Sequence, residues 1–149
     1  MLSTFEIPPP TGALVAPGGH GKTQCAIQAQ YLIGRFSSVE LVICAGAAGS
    51  LSSQLSVGDV VVGTETVKHD YRLLFASRPL PRFPAHGPSI DTLRRLAHRV
   101  SGFHVAFEVI ASGDEDIVTT ERAQAIRDQL STFGYFYTTQ RQVVQGVYE

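Results

Sequence analysis

A three-layer α/β domain is the fold class predicted for this chain, on three observations. Strand-like apolar runs alternate with helix-like patterns along most of its length. The run Val39 to Ala45 is apolar apart from Glu40, as in parallel strands covered on both faces. A loop of small residues, Gly46 to Gly49, follows it at the end where α/β sheets bind ligands. With 149 residues, one domain spanning 1–149 is expected. A chain of this size buries roughly 68–70% of its unfolded surface.

The elements follow in order. Gly12 to Ala16 is a short apolar strand, and Pro17 to Gly21 a glycine turn. Lys22 to Phe36 is a helix carrying Ala26, Ala29, Ile33 and Phe36 at near-helical spacing. Val39 to Ala45 is the second strand. Asp59 to Lys68, rich in Val and Thr, is the third. Arg78 to Pro88 contains four prolines, too many for a helix or central strand, and is predicted as a loop. Ser89 to Ser101 is an amphipathic helix with Ser89 as its N-cap, His104 to Ala111 a fourth strand, and Thr120 to Leu130 a further amphipathic helix.

Composition narrows the partners. Twelve Lys and Arg against thirteen Asp and Glu leave a net charge of -1, so no basic field favours nucleic acid. No apolar run approaches the length of a membrane span, and no signal pattern opens the chain, so a cytoplasmic protein is expected. Cys25 and Cys44 lack C-x-x-C spacing and read as small buried thiols rather than a metal or redox pair. No metal site is expected.

Two motif sets compete for the functional reading. Ala16-Pro17-Gly18-Gly19-His20-Gly21-Lys22-Thr23 approximates a phosphate-binding Walker A loop, in which Lys22 would neutralise phosphate and Thr23 hold magnesium. Alanine stands at the first glycine position, and no later apolar strand ends in a magnesium-binding aspartate. The alternative is a tight strand-to-helix turn with Lys22 in solvent.

The second set uses more of the chain. Gly19-His20-Gly21-Lys22, Cys44-Ala45-Gly46-Ala47-Ala48-Gly49-Ser50-Leu51, Val57-Gly58-Asp59-Val60-Val61-Val62, His69-Asp70 and Ser112-Gly113-Asp114 occur in that order. Together they resemble the nucleoside phosphorylase and nucleosidase superfamily, most closely its methylthioadenosine/S-adenosylhomocysteine nucleosidase branch. The matched core is 12–130, with a divergent tail at 131–149. The resemblance implies a mixed central sheet and cleavage of the N-ribosidic bond of a purine nucleoside by water or phosphate, without a cofactor. It also implies a homo-oligomer.

Site residues follow from the same resemblance. Ala47, Ala48 and Gly49 fall along the ribosyl and nucleophile region, with Ala47 where the family usually has serine. Ser112, Gly113 and Asp114 fall at the purine end, followed by Asp116 at the family's stacking aromatic and by Ile117, which keeps an apolar contact. His69 and Asp70 open a loop near the family's subunit interface, where Leu73, Leu74 and Phe75 could line a 5′-substituent pocket. As neighbours on an extended strand, His69 and Asp70 would point to opposite faces. Ordinary structural readings stay open: a glycine-alanine turn at Gly46 to Gly49, and an acidic surface turn at Asp114 to Asp116 before a Thr119/Thr120 helix cap.

The family's other catalytic parts are not expected within this sequence. Only Met1 to Thr11 precede the first matched strand, so the opening strand with its nucleophile-activating residue is expected to be missing. The ribose-gripping Glu-Met-Glu segment and the Ser-Asp pair that protonates the base are not found, and the chain continues Phe133-Gly134-Tyr135-Phe136-Tyr137 instead. No catalytic residue is therefore assigned. A non-catalytic nucleoside-binding remnant is the alternative to a nucleosidase.

Overall fold

The computed structural model describes residues 12–19, 21–74, 77–131 and 137–139. They form two compact units, the first ending at Ala47 and the second beginning at Ala48.

Among the described residues, the first unit contains one helix, α1 (Gly21–Arg35). Its packed stripe is Cys25, Ala29 and Leu32, spaced as one helical face, against Leu14 and Ala16. The expected stripe is turned by one residue: Ile33 and Phe36 are exposed, and so is Ala26. Neither Gly12 to Ala16 nor Val39 to Ala45 forms a strand, and Val42, Ile43 and Cys44 are exposed. An apolar run reads as a buried strand only if it pairs in a sheet, and none of the described strands includes this run. The buried-thiol expectation fails with it at Cys44, while Cys25 is half-buried.

The second unit is a mixed sheet with helices. Its strands are β1 (Gly49–Ser50), β2 (Val60–Lys68), β3 (Arg82–Pro84), β4 (Val105–Ser112) and β5 (Tyr137–Thr139), in the order β1-β5-β4-β2-β3. β2 and β4 run parallel, as do β4 and β5, while the two edge pairings are antiparallel. The long β2 and β4 arise where Val, Thr and Ile suit a pleated, half-buried surface.

Asp59 sets how β2 starts. Its carboxylate accepts the Ser56 N–H at 2.8 Å and the His104 N–H at 3.1 Å, while the Val60 N–H reaches the His104 carbonyl at 2.9 Å. The Val57-Gly58-Asp59 motif is thus a clip joining the entries of two parallel strands. Gly58 sits at φ +101°, a conformation that L side chains rarely adopt.

Two helices complete the unit. α2 (Gly87–Ala97) begins two residues earlier than expected: His86 is the N-cap, Pro88 lies in the first turn, and the Ser89 hydroxyl bonds His86 Nδ1 at 2.8 Å. Ser89 is therefore inside the helix rather than capping it. The proline-rich stretch also holds β3, where Pro84 sits on a sheet edge, as a residue without an N–H must. In α3 (Thr120–Ser131), Ala123, Ile126 and Leu130 form a stripe three and four residues apart. They pack with Leu51, Val67, Leu80, Val109 and Ala111 as the core. Burial of Ile126 and Leu130 stabilises the fold by about 1.5–3 kcal/mol each.

Candidate active site at the strand ends

Parallel pairing brings two sequence motifs to one place. Lys68 and Ser112 are register partners at the ends of β2 and β4, so the chain leaves both strands side by side. His69-Asp70 follows one and Gly113-Asp114 the other. Instead of extending, the chain after β2 winds into a 3-10 turn, His69–Leu73.

The two turns are bound together. The Asp114 N–H donates to Asp70 Oδ2 at 2.9 Å. The His69 imidazole is buried and lies against Gly113, where a Cβ would stand 2.2 Å from His69 Nε2. Only glycine leaves room for the ring there. Glu115 Oε1 lies 3.4 Å from His69 Nδ1. The Arg122 guanidinium grips Glu115 with both arms, its Nε donating at 2.8 Å to Oε2 and its second nitrogen to Oε1.

Each charge has a physical setting. The Arg122 hydrogen bond holds the Glu115 carboxyl below its ordinary value, aided by Arg122 and His69 charge and opposed by burial and Asp70. Arg122 is raised in turn by the same bond. Its own N–H donates to Thr119 Oγ1 at 3.2 Å, so Thr119 caps α3 and sets the register that points Arg122 at Glu115. From the same helix, the Gln129 side-chain amide donates to the His69 carbonyl at 3.3 Å.

Sheet register brings in the glycine loop. Val67, Ala111, Thr139 and Gly49 are successive register partners across β2, β4, β5 and β1. Gly49 thus lies two strand spacings from Ala111, roughly 10 Å. Because β1 runs antiparallel to β5, the chain enters the sheet through Ala48 at the edge where β4 leaves it through Ser112.

The expected residues take the following places. Ala48 and Gly49 stand at one corner of this edge, with Ala48 exposed. Ser112 and Gly113 are half-buried at the other corner, and Asp114 and Asp116 are exposed. Ile117 packs on the core. His69 and Asp70 join the Gly113 turn, and Leu73 ends the 3-10 turn. Ala47 is exposed and belongs to the first unit. Phe75 lies outside the described residues. Glu115, Arg122 and Gln129 were missed by sequence reasoning. The one local signal was an acid and a base flanking the Thr119 cap.

The Walker-like loop lacks the strand that a phosphate loop springs from, since residues 13–19 form none. Gly19 and Gly21 have φ of +79° and +70°, and a Cβ on Gly19 would meet Gln24 Cβ at 2.8 Å. Those glycines serve a tight entry into α1. Among the described residues no cluster of His, Cys, Asp and Glu could hold a metal, and no helix is long and apolar enough to cross a membrane.

Known proteins resemble this chain in sequence and fold. The 5′-methylthioadenosine/S-adenosylhomocysteine nucleosidase of Actinobacillus succinogenes is 36% identical over 115 residues, covering 73% of this chain and 50% of that protein. Its namesake in Mycobacterium bovis is 32% identical over 112 residues, covering 67% and 44%. The chain spans about half the length of the curated relatives it matches. A nucleosidase of the same type from Colwellia psychrerythraea, solved with adenine, superposes with a TM-score of 0.72 at 25% identity, over 83% of this chain and 53% of that one. The Neisseria meningitidis enzyme, solved with methylthio-immucillin-A, gives 0.64 at 29% identity, over 82% and 63%. The mixed sheet with its helices is therefore a nucleoside phosphorylase-like α/β fold. The sequence profile of the Phosphorylase superfamily matches residues 11–135, the Walker-like loop included, and the chain belongs to that superfamily.

Proposed function

We propose that this chain is a purine nucleoside-binding protein of the nucleosidase type, acting on the N-ribosidic bond of a methylthioadenosine- or S-adenosylhomocysteine-like substrate. The observation that carries the reading is the cross-sheet row from Gly49 to Ala111, which sets the small-residue turn and the Ser112-Gly113-Asp114 turn about one nucleoside length apart. Ala48 and Gly49 then lie along the ribosyl group, where small side chains let backbone groups approach. Ser112, Gly113, Asp114, Asp116 and Ile117 take the purine. The end of the 3-10 turn, at Leu73, belongs to the 5′ side, next to a second copy of the chain in a homo-oligomer. The likeness to nucleosidases solved with adenine and with methylthio-immucillin-A supports this assignment. The cytoplasm suits such a substrate.

Cleavage leaves an oxocarbenium-like sugar and a departing base, so the site must stabilise both and supply water or phosphate to the anomeric carbon. The test is incubation with methylthioadenosine, S-adenosylhomocysteine and inosine, with and without phosphate, followed by chromatography for free base. Base release only with phosphate identifies a phosphorylase, and release without it a nucleosidase. A second reading, binding without turnover, is favoured by Ala47, which stands where the family usually has a serine and so brings no hydroxyl to hold the attacking water or phosphate. Saturable adenine binding with no base released supports that reading. Absence of both binding and release overturns the two together.

A further inference from the structure

We propose that Glu115, gripped by Arg122, is a positioning residue that holds the His69 imidazole against Gly113 and so sets the shape of the Ser112-Gly113-Asp114 turn. The inference rests on the purine-binding role proposed for that turn and adds residues that resemblance to the family did not supply. A buried imidazole must be held by its surroundings, and the Glu115 carboxylate faces it 3.4 Å from Nδ1, in contact without closing a hydrogen bond. Glu115 is itself oriented, because the bidentate grip of a planar guanidinium fixes the plane of the carboxylate as well as its place. Arg122 is fixed by the first turn of α3 through Thr119. The chain of contacts therefore runs from a helix built into the core, through two charges, to the ring that fills the space a side chain at residue 113 would take.

The same turn is held by Asp70 Oδ2, which accepts the Asp114 N–H at 2.9 Å, so a backbone hydrogen bond and ring packing both restrain it. The groups that bear on Glu115 are His69 and Asp70 from the 3-10 turn and Arg122 from α3.

The test uses the whole chain with Glu115→Gln, which keeps the side-chain shape and removes the charge, and Arg122→Lys, which keeps a charge and removes the fork. Backbone amide signals of Gly113 and Asp114 and the ring signals of His69 are followed by NMR, and adenine binding by titration calorimetry. Both variants are expected to shift the Gly113, Asp114 and His69 signals, Arg122→Lys by less. Glu115→Gln is expected to weaken adenine binding about tenfold or more, since small misplacements at a site carry large penalties. Unchanged amide and ring signals in the folded variants overturn the proposal whatever adenine does. Shifted signals with unaltered adenine affinity overturn the positioning role. Shifted signals in a protein whose wild type binds no adenine uphold the Glu115 latch and overturn the nucleoside reading instead.

Discussion

The ring of His69 occupies the place that a side chain on residue 113 would need, the imidazole Nε2 standing 2.2 Å from where a Gly113 Cβ would be. Two residues far apart in the chain are thus chosen jointly, one for its absence of side chain and the other for a ring that fills the gap. Gly113→Ala should cost about 1–3 kcal/mol, the range for forcing one extra carbon into a filled space. Much of that loss should vanish in the His69→Ala background. A double-mutant cycle in urea checks it, and additive losses would show that the ring and the glycine do not share the space.

Acid should destabilise the protein through three carboxylates. Backbone N–H groups of Ser56 and then His104 lower Asp59 from its ordinary 3.8. Arg82 lowers Glu65, and Arg122 lowers Glu115, each from an ordinary 4.5. A carboxyl depressed in the folded state adds stability above its unfolded value, and that stability is lost as pH falls through the folded value. Thermal midpoints should therefore hold steady above about pH 5 and fall progressively below about pH 4. Glu65→Gln should flatten the fall, and an unchanged slope in that variant would remove Glu65 from the explanation.

Arg82→Ala should weaken the β2–β3 edge by about 1 kcal/mol, a modest figure because the pair is partly open to solvent. The Arg82 fork reaches Glu65 at 2.7 and 2.5 Å across the antiparallel pair. The loss should shrink in 0.5 M salt, where screening shortens the reach of charge to a few ångströms, on the order of the contact itself. Equilibrium denaturation at two ionic strengths measures it.

Thr119→Ala should cost about 1 kcal/mol, the usual penalty for removing a hydroxyl N-cap. Thr119→Asp should restore most of it, because a carboxylate accepts the same N–H and sits favourably at a helix N-terminus. Comparing the two variants by thermal melting separates capping from a general effect of altering the loop.

Much of the second unit was legible from local pattern. β2, β4 and α3 lie within a residue of expectation because their side-chain period and their burial agree. The Thr119 cap was legible for a similar reason, since a cap is chemistry between near neighbours. Val39 to Ala45 was misread because apolarity marks a wish for burial while a strand needs a paired neighbour, and pairing is not written locally. The tail strand Tyr137–Thr139 carries Tyr and Thr suited to extension, but its place between β1 and β4 is set by the sheet. At the site, the two motifs at the ends of β2 and β4 were visible as motifs. Their mutual binding was not, because Glu115 and Arg122 meet His69 only after parallel pairing has aligned Lys68 with Ser112.

The row that ends at Gly49 and Thr139 also bears on the order in which this sheet assembles. Those partners lie near opposite ends of the second unit's chain, so their pairing closes almost the longest loop that unit contains, for two residues of ladder. Loop-closure entropy opposes such contacts until others have shortened the effective loop, as the β2–β4 zipper of eight register pairs does. The β1–β5 edge should therefore close last on folding and open first in hydrogen exchange, while the β2 and β4 amides exchange only with global unfolding. The corner that Ala48 and Gly49 would supply to the proposed site is thus the least cooperative part of the sheet, and a ligand bridging it to the Ser112 corner would act as a kinetic brake on unzipping.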